Sequence, residues 1–384
     1  MSYLDIVSDA NNLFDAFQMA KRGSDWKAST QRCQMNLLRN ISQLRRALRD
    51  GTYRQMPFFE FVLAERGKVR PIRSQHITDR IVQRSLCDNA LIPALSPYLI
   101  YDNGASLKNK GVDFARRRLK VHLEKFLRRH PDGYVLLIDF SKFFDNIPHA
   151  QLLESVQRRL GGDTSLRPLL EHVVSSFSPD VSYMTDAEYA SSAHVPFSSI
   201  RHRERQAAYQ GPTGRLKLSK SMGIGSQISQ IGGVFFPTVI DNYFKCAMGF
   251  KYYGRYMDDV YVIHSDRQRL MEALGEFERQ ATALGMFVNR KKTQIVRLSH
   301  GFTYLKTRYA VVGRRIAARA DNSAFVRERR RLKRFRGLFE RGLMTRKMVS
   351  DAYQSWRGSV LRYAHRRQNL RFTDNLYLRL FYYN

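Results

Sequence analysis

The stretch Phe250-Lys-Tyr-Tyr-Gly-Arg-Tyr-Met-Asp258-Asp259-Val-Tyr-Val-Ile-His264 decides how the rest of the chain is understood. Aromatic and β-branched residues flank two adjacent carboxylates, a pattern that predicts a β-hairpin with the aspartates at its tip. Two anions side by side in a tight turn repel each other unless something positive lies between or beside them. A divalent cation is the usual solution, and hard oxygen ligands favour Mg²⁺, with Mn²⁺ as the second candidate. The plain alternative is an Asp-Asp turn facing water, and the β-branched flank weighs against it.

Composition narrows the possible partners. The chain has 384 residues, 43% of them hydrophobic and 12% aromatic, and so can bury a large core. Its formal net charge is +31. A solvated surface explains a few such charges, but an excess of this size points to RNA or DNA through phosphate neutralisation and counterion release. A membrane surface is the competing polyanion, and no long apolar run or lipidation motif supports it. Cys33, Cys87 and Cys246 stand apart without a Cys-x-x-Cys pair. That spacing weighs against structural zinc or a disulfide framework, and predicts a reducing cytoplasmic location. The N-terminus has no secretory pattern.

Away from the hairpin, residues 8–50 have helical spacing, with Leu13, Phe14 and Phe17 on one face and Leu37, Leu38, Ile41, Leu44 and Leu48 continuing it. Residues 57–64 predict a strand, 65–68 a turn, and Lys68-Val-Arg70-Pro-Ile-Arg73 a returning strand with its cations in register. A helix starts near Thr78-Asp-Arg80. Tyr101–Gly111 is a polar, glycine-containing loop that fits neither a Walker A nor a dinucleotide fingerprint, and a basic amphipathic helix follows it. Tyr134–Ile138 predicts a buried strand that delivers Asp139 at its end. Pro148 is placed as a first helical residue of a helix running to Gly161-Gly162. Residues 175–215 lack periodicity and predict a long, partly ordered loop or small hairpins, with RNA contact as one reading. Ser221-Met-Gly-Ile224-Gly225-Ser-Gln-Ile-Ser-Gln230 is a glycine-rich turn opening an apolar helix, where backbone can approach a ligand closely.

Together these segments resemble bacterial retroelement-type reverse transcriptases, over about residues 30–310 and more weakly beyond. Tyr256-Met-Asp258-Asp259 resembles the catalytic signature. Asp139-x-x-x-Phe-Phe144-Asp-x-Ile resembles the first palm motif, and residues 221–230 the second. Gly285–Thr293 resembles the fourth, and Phe302-Thr-Tyr304-Leu-Lys306 the primer-grip turn. The resemblance implies an α+β right hand: a helical region over 1–56, fingers over 57–133, a palm over 134–318 with 175–215 inserted, and a helical thumb over 319–384. It implies RNA-directed DNA synthesis from dNTPs on a template RNA, with two Mg²⁺ ions held by Asp139, Asp258 and Asp259. Lys292, preferred over Lys291, would protonate the leaving pyrophosphate. Arg70, Arg73, Phe140, Phe144, Ile224, Gly225 and Gln230 would border the nucleotide, with Phe144 as the ring that excludes a 2′-hydroxyl. Lys68, Arg80, Tyr304, Lys306, Arg329, Arg330 and Arg331 would meet nucleic acid.

There are two departures from the family pattern. Ser221 and Gly223 stand where Gly-x-Pro-x-Gly is common, and Ile224 stands where many members carry Gln. The Ile-Gly-x-x-x-Ser-Gln form resembles diversity-generating and bacterial defence enzymes. With the chain ending at Asn384, no ribonuclease H or endonuclease segment is expected. That favours an enzyme working with a partner RNA encoded beside it, in anti-phage defence ahead of diversity generation. An RNA-templated RNA polymerase, a template-independent or protein-primed DNA polymerase, and a non-enzymatic RNA scaffold are the competing classes. Oligomeric state is left open.

Overall fold

The computed structural model describes residues 1–65, 68–312, 315–361 and 367–383, with side chains at 64, 65, 68–70 and 367 outside the description. The chain divides into two compact units, Met1–Ala115, Ile138–Val262 and Met271–Gln294 in one, and Arg116–Leu137, Ile263–Leu270 and Ile295–Asn384 in the other.

The first unit opens with α1 (Tyr3–Val7), α2 (Ala10–Ala20), α3 (Ala28–Met35) and α4 (Leu37–Arg49). Leu13, Phe17, Ile41 and Leu48 are buried, whereas Phe14 and Leu38 are exposed, so the apolar face is narrower than the spacing predicted. Strands β1 (Phe59–Glu65) and β2 (Lys68–Ser74) form an antiparallel pair. Arg73 lies opposite Glu60. The expected register of Lys68 and Arg70 with Arg73 rests on side chains outside the described residues. Arg66 and Gly67, the centre of the expected turn, lie outside the described residues.

Helix α5 (Ile77–Leu86) runs through a π-helical turn at Cys87–Leu91 into α6 (Ile92–Leu95). Then α7 (Val112–Leu127) leads to β3 (Tyr134–Asp139), whose interior is fully buried. Pro148 is the N-cap of α8 (His149–Gln157), so the helix starts one residue later than expected and ends before Gly161, and α9 (Arg167–Ser175) follows.

Residues 175–215 form a folded helical excursion rather than a partly ordered loop. Its helices are α10 (Asp186–Ser192) and α11 (His202–Ala208). A Thr185/Glu188 capping box starts the first, and Val181, Met184, Ile200 and Leu218 make a small core of their own. Lys220 is buried and donates to Ser192 O (2.6 Å) and Val195 O (2.8 Å), and burial lowers its pKa to about 8.

Helices α12 (Gln227–Phe235) and α13 (Thr238–Asn242) precede β4 (Tyr253–Tyr256) and β5 (Asp259–His264), with α14 (Arg267–Ala283) and β6 (Gln294–Arg297) after them. The four-stranded sheet has the order β4-β5-β3-β6. Strands β7 (Phe302–Tyr304), β8 (Thr307–Val312) and β9 (Arg315–Ala320) form an antiparallel meander. Three helices, α15 (Asn322–Glu340), α16 (Arg346–Leu361) and α17 (Arg367–Phe381), then pack around Leu332, Phe335, Val349, Tyr353, Tyr377 and Phe381. Among the described residues no helix is long and apolar enough to cross a membrane.

Candidate active site

The hairpin at the centre of the site follows from its sequence. Strands β4 and β5 pair antiparallel with Tyr256 opposite Asp259, which leaves Met257 and Asp258 as the two-residue turn. Met257 has φ +52°, a strained backbone for a side chain of its size, as tight hairpin turns require. Tyr253 and residues 260–263 are buried, while both aspartates are half-buried at the tip. The neighbouring strand β3 ends in Asp139, which is also half-buried.

The segment after α14 wraps Asp139. Asn289 N–H donates to Asp139 O (2.7 Å), and Asp139 N–H donates to Thr293 Oγ1 (3.3 Å). Asn289 Nδ2 (3.0 Å) and Lys292 Nζ (2.8 Å) both donate to Asp139 Oδ2. Lys292 and Asp139 thus stand side by side. Among the described residues, no three His, Cys, Asp or Glu side chains form a ready-made metal cage. Mg²⁺ seldom uses one; it takes one or two carboxylates and completes its shell with water and substrate phosphates. Carboxylates at the end of β3 and at the start of the adjoining β5 suit that mode. The donor set fits a hard divalent cation.

A buried ion pair anchors the hairpin, and the motif-based analysis missed it. Arg255 and Asp241 are both 0% exposed at their side chains and pair at 2.7 Å. Arg255 Nε donates to Asp241 Oδ1 (2.8 Å), Nη2 to Val234 O (2.7 Å) and Nη1 to Met257 O (3.2 Å). Tyr253 Oη donates to the same carboxylate at 2.6 Å. The strained turn residue is thereby tied to α12 and α13. A signal was present: an arginine inside a strand this apolar requires a buried acidic partner.

After Asp139 in the chain, Phe144 is half-buried, edge-on to Phe143 at 5.1 Å, and packs on Gly233 of α12. A Cβ at Gly233 would lie 2.9 Å from the Phe144 ring, so only glycine permits this approach. Phe140 is corrected: its ring is buried between Phe143 and Phe277 at 5.4 Å from each, and serves the core rather than a nucleotide.

Ser221 has φ +93°, the conformation a glycine would take there, and its hydroxyl reaches Asp145 Oδ1 (3.4 Å). The departure from glycine therefore keeps the backbone and adds a hydrogen bond. Burial raises the Asp145 pKa against the opposing pull of Lys142, Ser221, Arg203 and Arg73. Ile224 is exposed, and its carbonyl accepts from Arg73 N–H (3.2 Å), which joins the glycine-rich turn to β2. Gly225 beside it has φ +123°. The Arg73 side chain donates to Glu60 (2.9 Å) and Phe177 O (2.8 Å).

Other expected contacts are redistributed. Arg80 directs its fork at Ala20 O and Ser24 Oγ, clamping α2 to α5, and burial lowers its pKa. Gln230 is exposed on α12. The side chains of Lys68 and Arg70 lie outside the described residues. In the second unit, Leu305 and Lys306 make a tight turn with φ +46° and +64°, and Arg116 Nε donates to Leu305 O (3.1 Å). Lys306 is exposed, but Tyr304 is buried, so its ring belongs to the hairpin core and not to a nucleic-acid surface. Arg330 is exposed and Arg329 lies over Phe372 at 5.1 Å. Arg331 is corrected as well: it donates to buried Glu328 (2.7 Å) and Ala352 O (3.0 Å), on the side of α15 that carries Leu332 and Phe335.

Comparison with known proteins agrees with this arrangement. Residues 62–308, well over half of the chain, match the family described as reverse transcriptase (RNA-dependent DNA polymerase). The chain belongs to that family. It is an RNA-directed DNA polymerase with the α+β right-hand fold, and the family uses divalent metal ions. The reverse transcriptase is also similar to Protein YkfC of Escherichia coli K12, 25% identical, with 71% of each chain covered. Among solved structures it is similar to apo telomerase from Candida tropicalis, truncated of its C-terminal domain, at 12% identity and TM-score 0.42. That match covers 69% of this chain and 55% of the telomerase. It is also similar to Candida albicans telomerase in complex with a fragment of telomeric RNA, at 10% identity and TM-score 0.45, over 85% and 61%. The chain thus spans only a little over half the length of these telomerases.

Proposed function

We propose that this reverse transcriptase extends a DNA strand from dNTPs on a specific non-coding RNA, with Asp139, Asp258 and Asp259 holding divalent metal and Lys292 serving the leaving group. The observation that carries it is the approach of Lys292 to within 2.8 Å of Asp139, which ends the strand next to the Asp258-Asp259 hairpin. Bound metal, most simply two Mg²⁺ ions, would activate the primer 3′-hydroxyl and stabilise the departing pyrophosphate. Asn289 and Thr293 position Asp139, and Lys292 Nζ holds a proton within reach of a neighbouring phosphate oxygen. Phe144 borders the sugar, and Arg73 and the Gly225 turn border the nucleotide. On this reading residues 57–133 are fingers, 134–318 palm and 319–384 thumb.

The test is primer extension on an RNA template. Asp139→Ala and Asp258→Ala should each abolish dNTP incorporation while RNA binding persists; extension by Asp258→Ala near the wild-type rate would overturn the assignment. The biological role we favour is anti-phage defence in the cytoplasm. Diversity generation is the second reading, favoured by the exposed apolar Ile224 at a turn where a hydrogen-bonding residue would aid fidelity. Sequencing nucleic acid that co-purifies before and after dNTP addition separates the two.

A further inference from the structure

The helix pair α3–α4 carries an unusual charge pattern. Residues 28–49 include five arginines, no lysine and no acid. Ile41 and Leu48 are buried where α4 packs against α1, α2, α3 and α5. Away from that core, Arg39, Arg45, Arg46 and Arg49 are all exposed. Their helical spacing puts them on one face, along about 15 Å of axis.

Other surface helices of the chain pair their cations with an acid one turn away, as in Arg158–Glu154, Arg167–Glu171 and Lys347–Asp351. On α4 the guanidinium groups of Arg39, Arg45 and Arg46 have no hydrogen bond or ion pair among the described residues. Arg49 reaches Asp5 at 3.6 Å, and that carboxylate is already engaged in the cap of α1. The negative end of the helix accounts for Arg46 and Arg49, which lie in its last turn. Arg39 lies in the first turn, where a cation opposes the helix dipole, so local stability does not explain it. Arg45 and Arg49 stand four residues apart and Arg46 and Arg49 three, spacings at which like charges destabilise a helix.

We propose that this arginine face docks a base-paired stem of the partner RNA, gripping phosphates along one strand. Guanidinium groups bind phosphate oxygens through paired donors, which fits a cluster without lysine. Duplex RNA is held through its phosphates and 2′-hydroxyls, so a rigid row of donors suffices without a pocket for bases. An anionic membrane is the other polyanion. A helix lying in a membrane inserts an apolar face, and that of α4 is already buried in the protein core. The inference rests on the reading that the enzyme works with a specific RNA. It adds a place to hold that RNA which supplies no group to the carboxylates Asp139, Asp258 and Asp259.

The experiment uses the full chain, a blunt-ended RNA hairpin and a separate primer–template heteroduplex. The triple variant Arg39→Gln, Arg45→Gln and Arg46→Gln removes charge while keeping helix propensity. Its slope of log affinity for the hairpin against log salt should be smaller by roughly 2–3, at about 0.9 per duplex phosphate contact. Primer extension should match wild type, and urea unfolding should show no loss, because these side chains have no partner to lose. The corresponding triple change to lysine, which keeps the charge, should keep most of the slope. An unchanged slope in the glutamine variant would overturn the docking face even with primer extension intact, which separates its failure from that of the polymerase reading. A parallel loss of affinity for the primer–template would put these arginines on the template path and overturn it as well. A loss of stability in both triple variants would make the arginines structural. Binding of wild type to phosphatidylserine vesicles in preference to the hairpin, abolished in the glutamine variant, would assign the face to a membrane and overturn the RNA stem.

Discussion

Replacing Asp241 by alanine is expected to destabilise the enzyme more than any exposed substitution. Both side chains of the Arg255–Asp241 pair are fully buried, and the carboxylate also accepts from Tyr253. Alanine removes the carboxylate that pairs with the guanidinium, and breaking a buried pair from one side costs about 3–5 kcal/mol. The hydrogen bond lost by the Tyr253 hydroxyl is included in that figure, because it shares the same carboxylate oxygen as Arg255. Set against a typical total of about 5–15 kcal/mol, the loss is a large fraction of folding stability. Urea unfolding at neutral pH measures it, with Asp241→Asn as the milder control that retains an acceptor. Activity should fall as well, measured where the variant remains folded, because Arg255 also holds Met257 O at the strained turn. A double-mutant cycle with Arg255→Met should show coupling of at least about 0.5–3 kcal/mol. An Asp241→Ala cost below about 1 kcal/mol, the range of exposed pairs, would refute the anchoring argument.

Three further outcomes are expected. Changing exposed Arg330, Lys333 and Arg334 together to alanine should lower the slope of log affinity for RNA against log salt by roughly 2–3, at about 0.7–0.9 per phosphate contact, whereas an unchanged slope means the run faces solvent. Phe144→Val should raise ribonucleotide incorporation by about 5- to 150-fold relative to dNTPs in Mg²⁺, from an overlap of about 1–3 kcal/mol; an unmoved ratio makes Phe144 a core residue. Lys220 titrates near 8 when folded against its ordinary 10.5, so the unfolded chain binds the extra proton between those values. Stability contributed by this group therefore rises as pH increases from about 8 towards 10.5, by on the order of 1 kcal/mol after solvent screening. Comparing urea midpoints of wild type and Lys220→Met at pH 7.5 and 9.5 isolates that gain, and parallel midpoints would refute it.

The hairpin, the strand ending at Asp139 and the helices around them were legible because each rests on local periodicity and turn chemistry. The excursion at 175–215 was not. Its two helices have seven residues each, too short to display an apolar stripe, and its small core joins Val181 to Leu218 across the segment. Only the Thr185-x-x-Glu188 box announced a helix start. The Phe140 misassignment came from position in a motif: adjacency to Asp139 says nothing about which way the ring packs. Arg331 was misjudged because a run of cations hides the helical period, although Glu328 and Phe335, each one turn away, mark its side of α15 as inward.

That last correction bears on what a charge of +31 means. Composition alone would treat every cation as a potential phosphate contact. Arg255 neutralises Asp241 in the interior, Arg331 joins Glu328 and Ala352 O, Arg80 ties down Ala20 O, and Lys220 caps two carbonyls of the excursion. Each holds two chain segments together. Neutralising one of these should lower stability and leave the salt dependence of RNA binding nearly unchanged. Neutralising Arg330 or Lys306, exposed at their own elements, should do the reverse if they meet phosphate. Salt slope and unfolding free energy, measured on the same variant, therefore sort this chain's cations into two classes that composition cannot distinguish.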